Sequence, residues 1–240
     1  MDNLPIILMI LLVSNLIQST FSFGGALVAI PLLVMYMDVS SAAVLLTMMS
    51  LTISTYIVIT SWRTIDLTSA TALVVSSSIG IPIGVYFVVF AEESITKSLL
   101  AISIALFAVT NLLKVFESVR PNPKVALVFG FISGLFGGAY NISGPPVVMY
   151  GVLSGWSPEK FRTTIQSFAL KTNLFAFLTH YMAGNVTEVV WHYYYYSLPI
   201  LIMCMWLGGY IHQRIPAADY RKYINLILIV LSMNLIWSVL

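Results

Sequence analysis

Apolar residues fill the chain in eight long stretches, which short runs of charged and turn-forming residues separate. The stretches cover about residues 4–36, 42–62, 67–90, 97–116, 125–153, 161–181, 190–211 and 223–240. Six of them have the length of a helix that crosses about 30 Å of hydrocarbon, which needs about 20 residues. The stretches 4–36 and 125–153 are too long for one crossing and too short for two. Small residues interrupt both of them, so each predicts a helix that breaks inside the membrane.

The composition indicates whether these stretches are surrounded by water or by lipid. Of the 240 residues, 59% are hydrophobic and only 8% are charged, whereas a soluble domain is about a quarter charged. The chain is therefore predicted to be an integral membrane protein with the lipid bilayer as a partner. A net charge of +2 leaves no basic surface for nucleic acid, and the single Cys204 excludes disulfides and cysteine-based zinc sites. Residues 1–5 lack the basic start of a secretory signal, so we expect the first stretch to belong to the mature fold.

The two halves of the chain repeat the same order of features. Residues 21–26, Phe-Ser-Phe-Gly-Gly-Ala, lie 120 positions before residues 141–146, Asn-Ile-Ser-Gly-Pro-Pro. Further matches at offsets of 117 and 125 are Ser40 with Ser157, Ser50 with Ser167, Gly84 with Gly209 and Lys97 with Lys222. We therefore predict two repeats, residues 1–120 and 121–240, which together form one transport domain.

Charge placement favours hairpins for the two broken stretches, each entering and leaving on one side. Eight full crossings would place four basic residues on one side and six on the other. Hairpins leave only Lys97 on one side and put nine on the other: Arg63, Lys114, Arg120, Lys124, Lys160, Arg162, Arg214, Arg221 and Lys222. The positive-inside rule makes that side cytoplasmic and both termini external. The predicted fold is all-α, with two inverted repeats of a broken-helix hairpin plus three transmembrane helices, as in many secondary transporters. The total number of transmembrane helices is eight to ten, depending on whether the hairpin arms are counted.

The breaks predict a binding site. Unwound backbone inside a bilayer requires a polar cavity, and the helix that follows a break begins with unpaired N–H groups that suit an anion. Small residues allow a ligand close to this backbone, and those at the breaks are Gly24, Gly25, Ser143 and Gly144. Ser22, Asn141 and Ser143 add side-chain hydrogen-bonding groups. The alternative is that glycines only allow helices to pack closely, which is our interpretation of Gly134, Gly137 and Gly138.

Lys171 is the one charged residue well inside an apolar stretch, and an intramembrane charge suggests function. The alternative is a lysine that snorkels to the interface or bonds a carbonyl of a broken helix. Ser167 lies one turn before it on the same face, while Gln166 and Asn173 form a second polar stripe. All nine acidic residues fall in predicted loops or at span ends. A buried cation without a buried carboxylate predicts a small anionic substrate, and facilitated transport is simpler than proton coupling through Lys171 or His180.

These residues define the predicted site and argue against an enzyme. The predicted substrate-binding residues are Ser22, Gly24, Gly25, Asn141, Ser143, Gly144, Gln166, Ser167 and Lys171. An intramembrane enzyme would need an aspartate pair, a Ser/His dyad or His and Glu zinc ligands within the spans, and the sequence offers none. We expect no catalytic residue, no metal and no cofactor.

Residues 130–146, Gly-Phe-Ile-Ser-Gly-Leu-Phe-Gly-Gly-Ala-Tyr-Asn-Ile-Ser-Gly-Pro-Pro, strongly resemble the second-repeat signature of the sulfite exporter TauE/SafE family. Residues 21–25, followed by Pro31, Leu32 and Leu33, resemble its first-repeat counterpart. The likeness covers the whole chain, since four hydrophobic stretches per repeat is the layout of that family. Many members carry glycine at the positions of Asn141 and Ser143, which leaves the preferred anion open.

The resemblance implies a secondary transporter or uniporter in a prokaryotic inner membrane. It would export small sulfur-containing anions, such as sulfite or sulfoacetate, by alternating access. A carrier of another small anion, such as a carboxylate, is the alternative. The sequence predicts neither the oligomeric state nor the coupling ion.

Overall fold

The computed structural model describes residues 3–60, 67–92, 94–96, 98–99, 102 and 122–215, and every regular element bounded there is an α-helix. In chain order the helices are α1 Leu4–Phe21, α2 Gly25–Leu33, α3 Val39–Thr60, α4 Leu67–Phe90, α5 Pro123–Tyr140, α6 Gly144–Leu153, α7 Pro158–Met182 and α8 Glu188–Arg214. The predicted span 97–116 lies largely outside the described residues, and the span 223–240 lies wholly outside them.

Four described helices are long and apolar enough to cross a membrane: α1, α3, residues Thr71–Phe90 of α4, and α8. Large apolar side chains such as Met9, Ile59 and Trp206 are about 70% exposed on their outer faces. An apolar surface of this extent is typical of a protein that faces lipid rather than water. Helix α7 is 25 residues long, but it carries a series of buried polar residues and is therefore less apolar than the other long helices.

Hydrogen-bonding side chains set the beginnings of three helices. The side chain of Asn122 accepts a hydrogen bond from the Val125 N–H, and Ser157 and Thr187 cap α7 and α8 in the same way. Such caps satisfy N–H groups that the first turn of a helix leaves unpaired. The two half-length helices, α2 and α6, follow three-residue breaks at Ser22–Gly24 and Asn141–Ser143. Both breaks fall at the residues that the sequence predicted.

Glycines allow α4 and α5 to pack with their backbones in contact. A Cβ atom on Gly84 would lie 2.1 Å from the Leu135 carbonyl oxygen, and one on Gly134 would lie 2.3 Å from the Ser77 carbonyl oxygen. Gly138 faces the backbone of Ile81 at the same short distance. The packing interpretation of Gly134 and Gly138 is therefore confirmed, as small residues commonly allow close helix contacts in membranes.

Helices α8 and α1 form a matching contact. A Cβ on Gly208 would lie 2.5 Å from the Cβ of Ser19, whereas Gly209 has no atom within 4 Å of where its Cβ would stand. The glycine of α8 that packs is therefore one position before the Gly209 that the sequence comparison matched with Gly84. The main contacts come in pairs that correspond between the two halves of the chain. The contact of α4 with α5 corresponds to that of α8 with α1, the contact of α4 with α7 to that of α8 with α3, and the contact of α1 with α2 to that of α5 with α6. Helices α3 and α7, which correspond to each other in the two halves, also contact each other.

Candidate functional site

The first break reverses the chain at the end of α1. Ser22 (φ 69°) and Gly24 (φ 91°) have left-handed backbone conformations, and α2 begins at Gly25. The Gly25 N–H donates to Gln18 Oε1 at 3.2 Å, and a Cβ on Gly25 would lie 2.7 Å from the Ser14 carbonyl oxygen. In a continuous helix residues 14 and 25 would be about 16 Å apart. The close approach therefore requires glycine, and it shows that α2 folds back against α1.

The second break repeats this reversal between α5 and α6. Asn141 (φ 57°) occupies the left-handed position, and its N–H donates to the Gly137 carbonyl at 3.0 Å. The Ser133 hydroxyl donates to the Ser143 carbonyl, and a Cβ on Gly137 would lie 2.9 Å from the Ser143 Cβ. Gly137 therefore packs against the break itself and not against α4, unlike its neighbours Gly134 and Gly138.

The two breaks border one partly open pocket, the cavity of the following paragraphs, and the roughly 430 Å³ of space within it that no protein atom fills includes space open to the outside. Its lining includes five of the predicted site residues: Ser22, Gly24, Asn141, Ser143 and Gly144. Apolar residues of α2, α6 and α7 complete the wall, among them Leu27, Val147, Ile165 and Phe168. None of the described residues that line the cavity is charged.

Ser22 places an unused hydroxyl in this wall. The residue is 1% exposed, and its Oγ has no hydrogen-bond partner among the described residues. Buried polar atoms are nearly always paired, so an unpaired one beside a cavity marks a position where a water molecule or a ligand group can supply the missing partner. The next helix adds backbone donors, because the N–H groups of Ala26 and Leu27 in its first turn have no acceptor within the helix.

Gln166 stabilises the first break from a position outside the cavity. Its Nε2 donates to the Ser22 carbonyl at 3.1 Å, and its Oε1 accepts from the Ser54 hydroxyl at 2.8 Å. Gln166 is fully buried and does not line the cavity. The side chain therefore connects α3, α7 and the break, and it positions Ser22 and makes no direct contact with the cavity.

Asn141 anchors the second break with all of its amide hydrogens. Its Oδ1 accepts from the Ser50 hydroxyl at 3.1 Å, and its Nδ2 donates to Thr47 Oγ1 at 2.9 Å and to Asn173 Oδ1 at 3.0 Å. An amide has two N–H donors, and both are used here. Asn141 lines the cavity, but its donors are committed to α3 and α7.

Two amide side chains that line the cavity were absent from the predicted site, namely Gln18 and Asn173. Gln18 Oε1 accepts from Gly25 and Asn173 Oδ1 accepts from Asn141, so the amide nitrogen of each remains available as a donor. Both have a signal in the sequence. Gln18 lies in the polar run of residues 14–20 within an apolar stretch, and Asn173 shares a helical stripe with Gln166.

The remaining predicted residues lie away from the cavity wall. Gly25 is adjacent to it through Gln18, and Ser167 is 3% exposed with an unpaired Oγ but does not line the cavity. Lys171 is on the exposed side of α7, together with Leu174 and Leu178. Helix α7 thus turns the stripe of Gln166 and Asn173 inward, and it does not bring Lys171 to the cavity.

Two basic residues bond the carboxyl end of α1 near the first break. Arg162 Nη1 donates to the Ser19 carbonyl at 3.2 Å, and His212 Nδ1 lies 3.0 Å from the Thr20 carbonyl oxygen. Basic groups at a helix carboxyl end stabilise its unpaired carbonyls. The sequence placed Arg162 only as a cytoplasmic charge, because nothing local indicates which helix end it contacts.

His180 has a comparable structural position at the end of α5. The residue is fully buried, with Nε2 2.9 Å from the Gly138 carbonyl oxygen and Nδ1 3.0 Å from Asn185 Nδ2. A neutral ring that donates from Nε2 and accepts at Nδ1 satisfies both contacts. This side chain therefore joins the α7–α8 loop to α5 and does not line the cavity.

Comparison with known proteins confirms the resemblance seen in the sequence. A family model for the sulfite exporter TauE/SafE matches residues 6–235. No curated protein and no solved structure matches the chain. Because the family model covers nearly the whole length, the chain belongs to the sulfite exporter TauE/SafE family of membrane transporters.

Proposed function

We propose that this protein is a secondary carrier or uniporter that exports small sulfur-containing anions, such as sulfite or sulfoacetate, by alternating access. The family and the long apolar helices make it a multi-pass membrane protein with a small-molecule substrate. A prokaryotic inner membrane, with the nine basic residues on the cytoplasmic side, is part of this proposal. The sulfur chemistry of the substrate rests on the family.

The unpaired Ser22 hydroxyl is the observation that carries the binding site. It stands beside the first turn of α2, whose free N–H groups and partial positive charge favour an anion. The amide nitrogens of Gln18 and Asn173 complete a set of neutral donors around the same space. Fixed neutral donors bind an oxyanion without a counter-charge, because the protein dipoles replace part of its hydration shell.

The arrangement of the helices supports alternating access. The corresponding contact pairs of α1–α4 and α5–α8 are consistent with two repeats related by a two-fold axis, and the charge placement in the sequence favours an inverted pair. Helices α3 and α7 hold both breaks at once, through Ser54 and Gln166 at the first and through Ser50 and Asn173 at the second. A movement of α3 against α7 would therefore change the geometry of both breaks together.

Sulfite flux into proteoliposomes, with and without a pH gradient, tests the proposal. We expect saturable flux, and we expect Ser22→Ala to raise the KM about tenfold, because a hydrogen bond to a charged ligand contributes about 1.5 kcal/mol or more. Ser40→Ala is the matched control, since Ser40 Oγ is also buried and unpaired but does not line the cavity.

Competition by sulfoacetate, sulfate and acetate separates the substrates. Saturable acetate flux without sulfite flux would identify a carboxylate carrier of the same build. The absence of flux for all four anions, from protein shown to be folded, would overturn the proposal. A response of the flux to the pH gradient would establish proton coupling in place of facilitated transport.

A further inference from the structure

We infer that the cavity selects anions with a single charged group and a short apolar body, such as a short alkanesulfonate, over anions charged at both ends. This inference rests on the proposed function, because it names which sulfur anions the same cavity accepts. It follows from a difference between the two breaks, both of which line the cavity.

The first break is rich in unused donors. Ser22 Oγ is buried without a partner, and the Ala26 and Leu27 N–H groups at the second and third positions of α2 have no acceptor among the described residues. The amide nitrogen of Gln18, whose Oε1 accepts from Gly25 of this break, lies in the same wall. Several donors around one space match the three oxygens of a sulfonate group.

The second break lacks the equivalent donors. The second and third positions of α6 are Pro145 and Pro146, which have no N–H. Asn141 uses both of its amide hydrogens on Thr47 and Asn173. The Ser143 hydroxyl, the Ser143 and Gly144 N–H groups and the Asn173 amide nitrogen remain there, and the first turn of α6 offers one free backbone N–H where that of α2 offers two.

An aromatic side chain also covers this second helix end. A Cβ on Gly144 would lie 3.1 Å from the Cβ of Phe23, a residue of the first break that is 1% exposed. The ring of Phe23 in turn contacts that of Phe161 edge to face, with centroids 6.4 Å apart. The first turn of α6 is therefore packed against an apolar cluster, where a carboxylate would lose hydration and gain one backbone donor from that turn.

The rest of the cavity wall favours an apolar body. Leu27, Val147, Ile165, Phe168 and Ala169 all line the cavity. Burial of one methylene group against such a wall strengthens binding about fourfold. Ethanesulfonate would place its sulfonate at the first break and its ethyl group on this wall, whereas sulfoacetate would place a carboxylate there.

Competition in proteoliposomes tests the inference, with ethanesulfonate and sulfoacetate as inhibitors of labelled sulfite flux at pH 7.5. We expect the inhibition constant of ethanesulfonate to be at least tenfold lower than that of sulfoacetate. Equal or stronger inhibition by sulfoacetate, with sulfite flux intact, would overturn the inference and leave the carrier function standing. A folded protein that moves none of the three anions would overturn both.

A substitution that restores a donor sharpens the test. Pro145→Ala returns an N–H to a cavity-lining position at the second break, and we expect it to lower the inhibition constant of sulfoacetate at least threefold while that of ethanesulfonate stays constant. Pro199→Ala is the matched control, because Pro199 is an exposed proline within α8 that does not line the cavity. An equal change for both anions in Pro145→Ala would contradict the role given to the missing N–H.

Discussion

The two helix breaks have the same backbone shape but use their polar side chains in opposite ways. Ser22 and Asn141 both stand in the left-handed position that ends a helix, and Gly25 and Gly144 both begin a half-length helix. The Ser22 hydroxyl is unpaired, whereas the Asn141 amide makes three hydrogen bonds. Similar backbone turns thus supply two possible anion sites, and only at the first is the side chain in the helix-ending left-handed position unpaired.

The second break compensates for its lost donors by holding the structure together. Asn141 connects α3, through Thr47 and Ser50, to α7, through Asn173. The first break depends on Gln166 for a comparable connection to the same two helices. One break is therefore mainly an anchor and the other mainly a binding surface, which is a difference that substitutions can test.

The largest expected effect is on stability, and it should separate the two breaks. Asn141→Ala removes three buried hydrogen bonds and leaves Ser50 Oγ and Asn173 Oδ1 without these partners, so we expect the free energy of unfolding in detergent to fall by about 2–3 kcal/mol. Ser22→Ala removes no hydrogen bond from the hydroxyl and should change it by less than about 0.5 kcal/mol. Denaturant or thermal unfolding measures both.

Asn15→Ala calibrates this comparison. Asn15 is 3% exposed, and its side chain makes one hydrogen bond, to the Met49 sulfur at 3.3 Å. Its substitution should therefore lower the free energy of unfolding by less than the substitution of Asn141 does. Equal losses for Ser22→Ala and Asn141→Ala would mean that both breaks are anchors, and the assignment of the first as the binding surface would fail.

A smaller effect should distinguish the glycines that begin the two half-length helices. A Cβ on Gly25 would meet a backbone oxygen of Ser14 at 2.7 Å, which cannot move without displacing α1. Gly25→Ala should therefore lower the free energy of unfolding by about 1–3 kcal/mol. At Gly144 the nearest atom is the Phe23 Cβ at 3.1 Å, and a small shift relieves it, so Gly144→Ala should cost under about 1 kcal/mol. A reversed order in thermal unfolding would show that Phe23 is the more rigid neighbour.

The sequence predicted the breaks well because their causes are local. The left-handed positions of the two breaks, Ser22, Gly24 and Asn141, favour small or amide residues, and these interrupt apolar stretches that are otherwise continuous. The packing role of Gly134 and Gly138 followed from their helical spacing in the same way. The hydrogen-bond partners of Ser22 and Asn141 could not be predicted, since they depend on how α3 and α7 pack around each break.

The face of α7 that points to the cavity also could not be predicted from the sequence. Ser167 and Lys171 form one polar stripe, and Gln166 and Asn173 form another about a third of a turn away. Hydropathy alone favours neither stripe, because both interrupt an apolar helix. Packing of Ile165, Phe168 and Ala169 against the cavity selects the stripe that carries Asn173.

The smallest expected effect follows from which polar stripe of α7 faces the cavity. Lys171→Gln should change the KM for sulfite by less than twofold, because Lys171 lies on the exposed side of α7 and does not line the cavity. Asn173→Ala, from the inward stripe, should raise the KM at least fivefold, because it removes a cavity donor and one hydrogen bond of the second break. Flux measured in the same proteoliposomes compares them. A loss at Lys171 as large as that at Asn173 would mean that the charge of Lys171 attracts the anion from outside the cavity, and the neutral donors of the first break would then be only part of the site.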